Sequence, residues 1–406
     1  MATEIEERRV EIADLRVGMF VCRLDRPWSE TSFPLQGVEI SSPADIRRLA
    51  EFCQHVFIDE HRQVAYKADR LLTRSNLSES RFEVGIAYAD RTTVEEELPR
   101  ARKALSNASE LVNQIFADIA SGRELSVELV ERAVRPLVAS VLRSADAFLF
   151  VEGLRKHDSY SYSHAISCSA LAAAFGRHMG YAEETIISLA AGGLLMDAGK
   201  TQLPEDLLRY PGSLSAEQVE QVRSHVGHGL DILTKSGITD QDVIDTVGTH
   251  HERFDGTGYP QRLMANAIPM AGRMLGIIDA YHAMASERPY RPAISRHQAM
   301  RQIYAASDLL FQAEMVEQFQ VCLGVYPTGS LVELNTGEVA VVMAQNQVRR
   351  LRPRVLIIST PGKQAIDTFR AINLLAQQEE LGNVEIARSL AVGDYGIDNA
   401  DLFLQV

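Results

Sequence analysis

The chain has 406 residues, 46% of them hydrophobic and 23% charged, with a formal net charge of −13. This is the composition of a soluble globular protein too long for one core, so two or three domains are expected. The negative charge argues against nucleic-acid binding by charge alone, and an anionic ligand would need a local, metal-supported site.

The stretch Met1–Arg9 is charged and lacks the apolar centre of a secretory signal. The best apolar run, Ile186–Met196, is too short to span a bilayer and contains glycines. A cytoplasmic location without a membrane partner is the expectation. Cys22, Cys53, Cys168 and Cys322 have no paired spacing. They read as buried free thiols in a reducing compartment rather than a disulfide frame or cysteine-type zinc site.

Short apolar pieces from Val10 to Val21, broken by Gly18, predict small strands. A helix start at Ser41-Ser42-Pro43 precedes Ile46, Leu49, Ala50 and Cys53 at helical spacing, and Val56–Asp59 closes as a strand. Residues 1–66 therefore form a small α+β module. Residues 67–92 are polar and aperiodic, a linker. From Thr93, the spacing of Leu98, Ala101, Leu105, Ala108, Leu111, Val112, Ile115 and Ile119 gives a leading helix within 93–125 that stops at Ser121-Gly122. Glu95-Glu96-Glu97 at its start suits the positive end of the helix dipole, a capping role rather than a ligand role.

Residues 93–325 read as helix after helix, with stripes rich in small residues, such as Ala165, Ile166, Ser169, Ala172 and Ala173, that predict close packing. After Tyr326-Pro327, β-type runs separated by turns give a small β-rich module over 326–406. The basic run Arg349–Arg354 reads as a solvated strand edge guarded by charge.

The densest chemistry is His250-His251-Glu252-Arg253-Phe254-Asp255-Gly256-Thr257-Gly258-Tyr259-Pro260. Adjacent histidines share one centre only where a helix is ending, and the following glycines and proline agree with that. Further ligand-type residues stand in core-like helices: His164, Asp197 with Lys200, His225, and Asp279. Asp197 and Asp279 each fall in an otherwise apolar helical run, where a carboxylate needs a cation, hydrogen bonds or a metal. A mixed His and carboxylate set suits iron, manganese or another first-row ion. His55, His61, His178, His282 and His297 match no motif and read as surface or ordinary polar packing; His228, three residues after His225, reads as a solvent histidine.

Leu194-Leu195-x-Asp197-x-Gly199-Lys200, Leu203-Pro204, Pro211-Gly212-x-Leu214, His225-x-x-x-Gly229, His250-His251-Glu252, Asp255-Gly256-Thr257-Gly258-Tyr259-Pro260, and Asp279 with Ser286-x-Arg288-Pro289-Tyr290-Arg291 occur in this order. On these motifs the middle half of the chain resembles the HD-GYP family of bacterial cyclic di-GMP phosphodiesterases. Leu15-Arg16-x-Gly18-Met19-x-Val21 and Trp28 look like the uncharacterised domain often found ahead of it. The resemblance implies a multidomain chain: a mainly α-helical HD-type domain flanked by the α+β and β modules.

It further implies a divalent-metal centre of iron or manganese. His164, Asp197 and Asp279 would hold one ion, and Asp197, His225, His250 and His251 the other. Two ions side by side activate a water and clamp the phosphate it attacks. Lys200 would neutralise that phosphate beside Asp197, Arg288 and Arg291 would grip phosphate or guanine, and Gly258 and Tyr259 would form the lip under the nucleotide. Where the family has His-Asp this chain has Met196-Asp197, so one tight and one weak ion site are expected. The implied function is hydrolysis of cyclic di-GMP to linear pGpG and onward to GMP in second-messenger signalling. The alternatives are a catalytically weak cyclic di-GMP sensor or docking module, and a phosphohydrolase for another nucleotide. Diguanylate cyclases, docked through the Gly-Tyr-Pro loop, and a second copy of the chain are the protein partners expected.

Overall fold

The computed structural model describes residues 7–16, 19–26, 38–40, 43–59, 85–154, 160–286, 293–346, 349–376, 384–391 and 393–396. Gly18, Trp28, His61, most of the expected linker (67–84), Arg288, Tyr290 and Arg291 lie outside the described residues, as does the side chain of Cys22. The chain divides into two compact units, residues 1–82 and 83–406.

In the first unit, β1 (Glu7–Glu11), β2 (Phe20–Leu24), β3 (Val38–Glu39) and β4 (His55–Asp59) form an antiparallel sheet in the order β1-β4-β2-β3. Alternation along the strands buries Val10, Val21, Val56 and Ile58, and Leu49 of α1 (Pro43–Ala50) is fully buried in the same unit. The expected small α+β fold is what the sequence forms.

The second unit opens with α2 (Val94–Ala120), entered through a capping box in which Thr93 and Glu96 satisfy each other's backbone amides. Only one of the clustered acids caps. Glu97 is instead fully buried, accepting from Ser140 Oγ at 2.9 Å and from Arg143 Nε and Nη2 at 2.9 and 2.6 Å. It locks α2 to α3 (Val127–Arg143). Next come α4 (Ala145–Gly153), α5 (Tyr160–His178), α6 (Glu183–Leu195), α7 (Glu205–Leu208), α8 (Ala216–Arg223), α9 (His225–Lys235) and α10 (Gln241–Thr249). The helical part closes with α11 (Met270–Ala285), α12 (Arg296–Ala305) and α13 (Ala313–Leu323). The small-residue stripes do pack closely: a Cβ added to Gly193 of α6 would stand 2.9 Å from the Cys168 carbonyl oxygen of α5. Among the described residues no helix is long and apolar enough to cross a membrane.

Strands β5 (Leu331–Leu334), β6 (Val339–Ala344), β7 (Arg354–Ser359), β8 (Ala365–Asn373) and β9 (Ile386–Ser389) make an antiparallel sheet ordered β8-β7-β6-β5-β9. Alternation sends Val339, Val341 and Met343 of β6 into one core with Ala147 and Phe150 of α4 and with Leu154 just after it, while Ala340 and Val342 join Val332, Val355 and Ile357 on the other face. The Asp146 carboxylate reinforces the join, accepting from Thr328 Oγ1 at 2.6 Å and from the Gln345 amide at 2.9 Å. Arg354 does not guard an edge. Its strand is flanked by β6 and β8, and its guanidinium reaches across to Glu95 of α2, while Arg352 pairs with Glu385.

Candidate metal centre

Asp197 is not inside an apolar helix as its flanks suggest. Helix α6 ends on Met196, whose amide bonds the Gly192 carbonyl, and Asp197 leads into a tight 3₁₀ turn, Ala198–Gln202, closed by Lys200 N to Asp197 O at 3.0 Å. The turn lies against the start of α9. A Cβ at Gly199 would collide with the His225 carbonyl oxygen, so only glycine lets Asp197 and His225 face each other. His250 caps α10 and His251 follows it, the helix ending that the paired histidines require.

The donors of Asp197, His225, His250 and His251 lie within 4.8 Å of one another, three of the residues buried and His251 partly so. Asp197 Oδ1 is 3.5 Å from His225 Nε2 and 3.9 Å from His250 Nε2, and those two nitrogens are 3.5 Å apart. The ring orientations are set from behind. His225 Nδ1 is 2.7 Å from the Val222 carbonyl oxygen, and His250 Nδ1 is 3.1 Å from that of Val247. A carbonyl only accepts, so both Nδ1 atoms carry the proton and both Nε2 lone pairs converge on Asp197. Asp197 Oδ1 is buried without a hydrogen-bond donor. An orphaned carboxylate oxygen facing imidazole lone pairs is a donor set for a divalent cation, and these residues fit one.

The other expected set is gathered less tightly. His164 Nε2 is 3.0 Å from Asp279 Oδ1 and 3.8 Å from Asp197 Oδ2, and Asp279 Oδ2 is 3.7 Å from His251 Nδ1. Asp279 sits mid-way along α11, buried, as expected. Lys200 Nζ donates to Asp197 Oδ2 at 2.6 Å and keeps a quarter of its side chain exposed, so it stands between the carboxylate and the solvent side.

Burial pushes the Asp197 carboxyl up, but Lys200, His225 and His164 outweigh burial and hold it well below the usual carboxylate range. Asp279 is likewise held well below, its burial overcome chiefly by the hydrogen bond to His164. Burial pulls His250 down to about 4 against the opposing pull of Asp197. His251 is pulled well below the ordinary histidine value by burial and then by His250. Neutral imidazoles beside ionised carboxylates are the protonation states that ligation needs.

The loop after His251 is built to stand still. The buried Glu252 carboxylate accepts the amides of Gln261 at 2.7 Å and Leu263 at 3.0 Å, and a Cβ at Gly258 would meet Glu252 Cα at 2.5 Å. Tyr259 stacks on His251 with ring centroids 4.7 Å apart, and the Arg223 guanidinium lies 4.9 Å from the Tyr259 ring. Tyr259 thus forms a wall of the centre.

Two neighbours were not expected. His282, read from sequence as surface or ordinary packing, is buried with Nδ1 at 2.8 Å from His164 Nδ1, and Cys168 Sγ is 3.6 Å from His164 Nε2. Spacing could have found them: Cys168 follows His164 by one helical turn, and His282 follows Asp279 by three residues. Cys53 and Cys168 are buried free thiols, as expected, whereas Cys322 is a free thiol that is only partly buried. His228 is half-buried and joins neither group of donors.

A helical scaffold that gathers histidines around a buried aspartate at the end of a helix defines an HD-type centre. The family described as HD domain matches residues 149–314, and a domain of unknown function, DUF3391, matches residues 7–130. HD domains bind divalent metals. A cyclic di-GMP phosphodiesterase of Pseudomonas aeruginosa is 31% identical over 352 residues, covering 86% of this chain and 84% of that protein. A cyclic di-GMP phosphodiesterase of Thermotoga maritima is 32% identical over 163 residues, 40% of this chain and 44% of that one. A 3′3′-cGAMP-specific phosphodiesterase of Vibrio cholerae is 32% identical over 154 residues, 38% of this chain and 29% of that one. The chain belongs to the HD-GYP family of phosphodiesterases.

Proposed function

We propose that this chain hydrolyses cyclic di-GMP to linear pGpG and onward to GMP, as a divalent-metal phosphodiesterase of bacterial second-messenger signalling. The observation that supports it is the orphaned Asp197 Oδ1 among the His225 and His250 Nε2 atoms, with Lys200 alongside. Iron or manganese suits these donors, bound tightly by Asp197, His225, His250 and His251 and weakly by His164, Asp197 and Asp279. When bound, the ions supply Lewis acidity and an activated water.

The chain's own residues do the rest. Asp197 belongs to both sets and so fixes their spacing. Lys200, donating to Asp197 and reaching solvent, offsets charge on an arriving phosphate. Gly258 and Tyr259 give the nucleotide a rigid lip, and Arg288 and Arg291 grip phosphate or guanine through their planar forks. The Gly-Tyr-Pro loop also docks diguanylate cyclases, and the chain pairs with a second copy. The amino-terminal module (1–66), linker (67–92), helical domain (93–325) and β module (326–406) are the working divisions.

Met196 favours a second reading. It is fully buried where the family's His-Asp pair places an imidazole, and a thioether is a weak ligand for iron or manganese; a sensor or docking protein would retain the nucleotide and lose turnover. A phosphohydrolase for another nucleotide is the third. The test is turnover of cyclic di-GMP and 3′3′-cGAMP by manganese-loaded protein, with Asp197→Ala and Arg291→Ala. Hydrolysis abolished by Asp197→Ala, and cyclic di-GMP affinity lowered by Arg291→Ala, are expected. Tight binding without turnover in the parent would select the sensor reading, and preference for cGAMP the third.

A further inference from the structure

We propose that Arg223 reads the Hoogsteen edge of one guanine of the bound cyclic dinucleotide, and so selects guanine over adenine at the lip of the metal centre. The inference rests on the preceding reading in taking a cyclic dinucleotide as the ligand, and it adds the residue that distinguishes the base.

Arg223 is the last residue of α8 and stands two residues before His225. The backbone around it is pinned on both sides. Ser224 N donates to the Glu220 carbonyl oxygen at 3.1 Å, and the Val222 carbonyl oxygen is 2.7 Å from His225 Nδ1. The side chain is held as well: its guanidinium carbon lies 4.9 Å from the centre of the Tyr259 ring, and Nη1 donates to Glu220 Oε1 at 2.6 Å. Tyr259 in turn stacks on His251. The guanidinium therefore stands one ring beyond the histidines, where a base of the bound nucleotide would lie rather than the phosphate under attack.

What remains of the guanidinium is a fork. With Nη1 committed to Glu220, the parallel Nε–H and Nη2–H have no partner among the described residues, and 42% of the side chain is exposed. Two parallel donors match the adjacent acceptors O6 and N7 of guanine. Adenine offers N7 beside an amino group, which would meet the fork donor to donor. Glu220 decides between a base and a phosphate. Its carboxylate offsets the charge that a phosphate would seek and repels the phosphate itself, whereas a neutral base edge needs only the pair of N–H groups. The ring of Tyr259, already engaged by His251 and Arg223, steadies the fork.

The test uses manganese-loaded, full-length protein immobilised on a sensor surface under a continuous flow of nucleotide, so that turnover cannot deplete the ligand. The parent should favour cyclic di-GMP over cyclic di-AMP by at least about tenfold. Arg223→Ala should lose that preference through weaker cyclic di-GMP binding, and Arg223→Lys, which keeps the charge without the fork, should lose it too. The 7-deaza analogue of cyclic di-GMP lacks N7 and should bind the parent about tenfold more weakly than cyclic di-GMP, a comparison independent of how any variant folds. Equal weakening of both dinucleotides by Arg223→Ala would mean a phosphate contact, and an undiminished preference would mean a purely structural arginine. Either result overturns the proposal, as would a parent that binds the 7-deaza analogue as tightly as cyclic di-GMP. Hydrolysis is assayed separately: its absence, with the guanine preference and its dependence on Arg223 intact, would defeat the phosphodiesterase reading and leave this one standing.

Discussion

Gly199→Ala tests whether the centre depends on the close approach of a turn and a helix. The added Cβ would lie 2.5 Å from Gly229 N and 2.9 Å from the His225 carbonyl carbon, where ordinary contact begins at 3.4 Å. The shortfall is at least about 0.9 Å, the His225 carbonyl oxygen being closer still, and all these obstacles are backbone of α9, which cannot rotate aside as a side chain would. Relief therefore comes from moving the turn and the helix apart. The Asp197 Oδ1 to His225 Nε2 separation would grow from 3.5 Å to roughly 4.5 Å. Two donors on one ion with bonds of about 2.0–2.2 Å cannot stand more than about 4.3 Å apart, so one ligand is lost. Overpacking of this kind costs about 1–3 kcal/mol, which a folded domain survives, whereas ion affinity should fall by at least about 10–100-fold. Calorimetric titration of chelator-stripped protein with Mn²⁺, alongside circular dichroism, measures both. A folded variant that binds Mn²⁺ with parental affinity would refute the dependence of the site on this contact.

Met196→His should raise metal content and speed cyclic di-GMP hydrolysis by about tenfold or more, because a missing ligand costs at least what a lost supporting partner does; a folded variant that binds both ions and nucleotide yet turns over no faster would contradict the two-metal scheme. Glu97→Ala should destabilise the second unit by about 3 kcal/mol, since it leaves Arg143 and Ser140 facing a buried gap, and chemical denaturation reads this directly. The same carboxylate has a pH signature. Burial raises its pKa, but the Arg143 and Ser140 bonds overcome that and leave it below the ordinary value of 4.5. Its stabilisation is therefore fully present above that value and is lost as pH falls through the lower folded one. A stability profile between pH 3 and 5 that is unchanged by Glu97→Gln would contradict the assignment.

What the sequence revealed was whatever its local spacing encodes. His250-His251 announces a helix end, small residues announce close packing, and alternation announces the sheets, so the fold classes were legible; the grouping of Asp197, His225, His250 and His251, whose donors the fold gathers, came from the family resemblance. The unread parts depend on which residues meet across elements. Glu97 looks like its neighbours Glu95 and Glu96 until α3 brings Arg143 to it. Arg354 belongs to a run of exposed-type residues, yet its strand acquires partners on both sides. Cys168 and His282 carry no motif, and become neighbours of His164 only when α5 and α11 lie side by side.

Glu152 accepts from Ser167 and, at 3.3 Å, from Arg296, whose other nitrogen donates to the Thr328 carbonyl oxygen at 3.0 Å. Ser167 is three residues beyond His164 on α5, and Thr328 begins the run into the second sheet. The far end of the chain thus braces the helix that presents a ligand, much as a strut fixes a beam. The tolerance on His164 is then set partly by residues remote from it in sequence, and the tail serves as scaffolding for the chemistry as well as a module of its own.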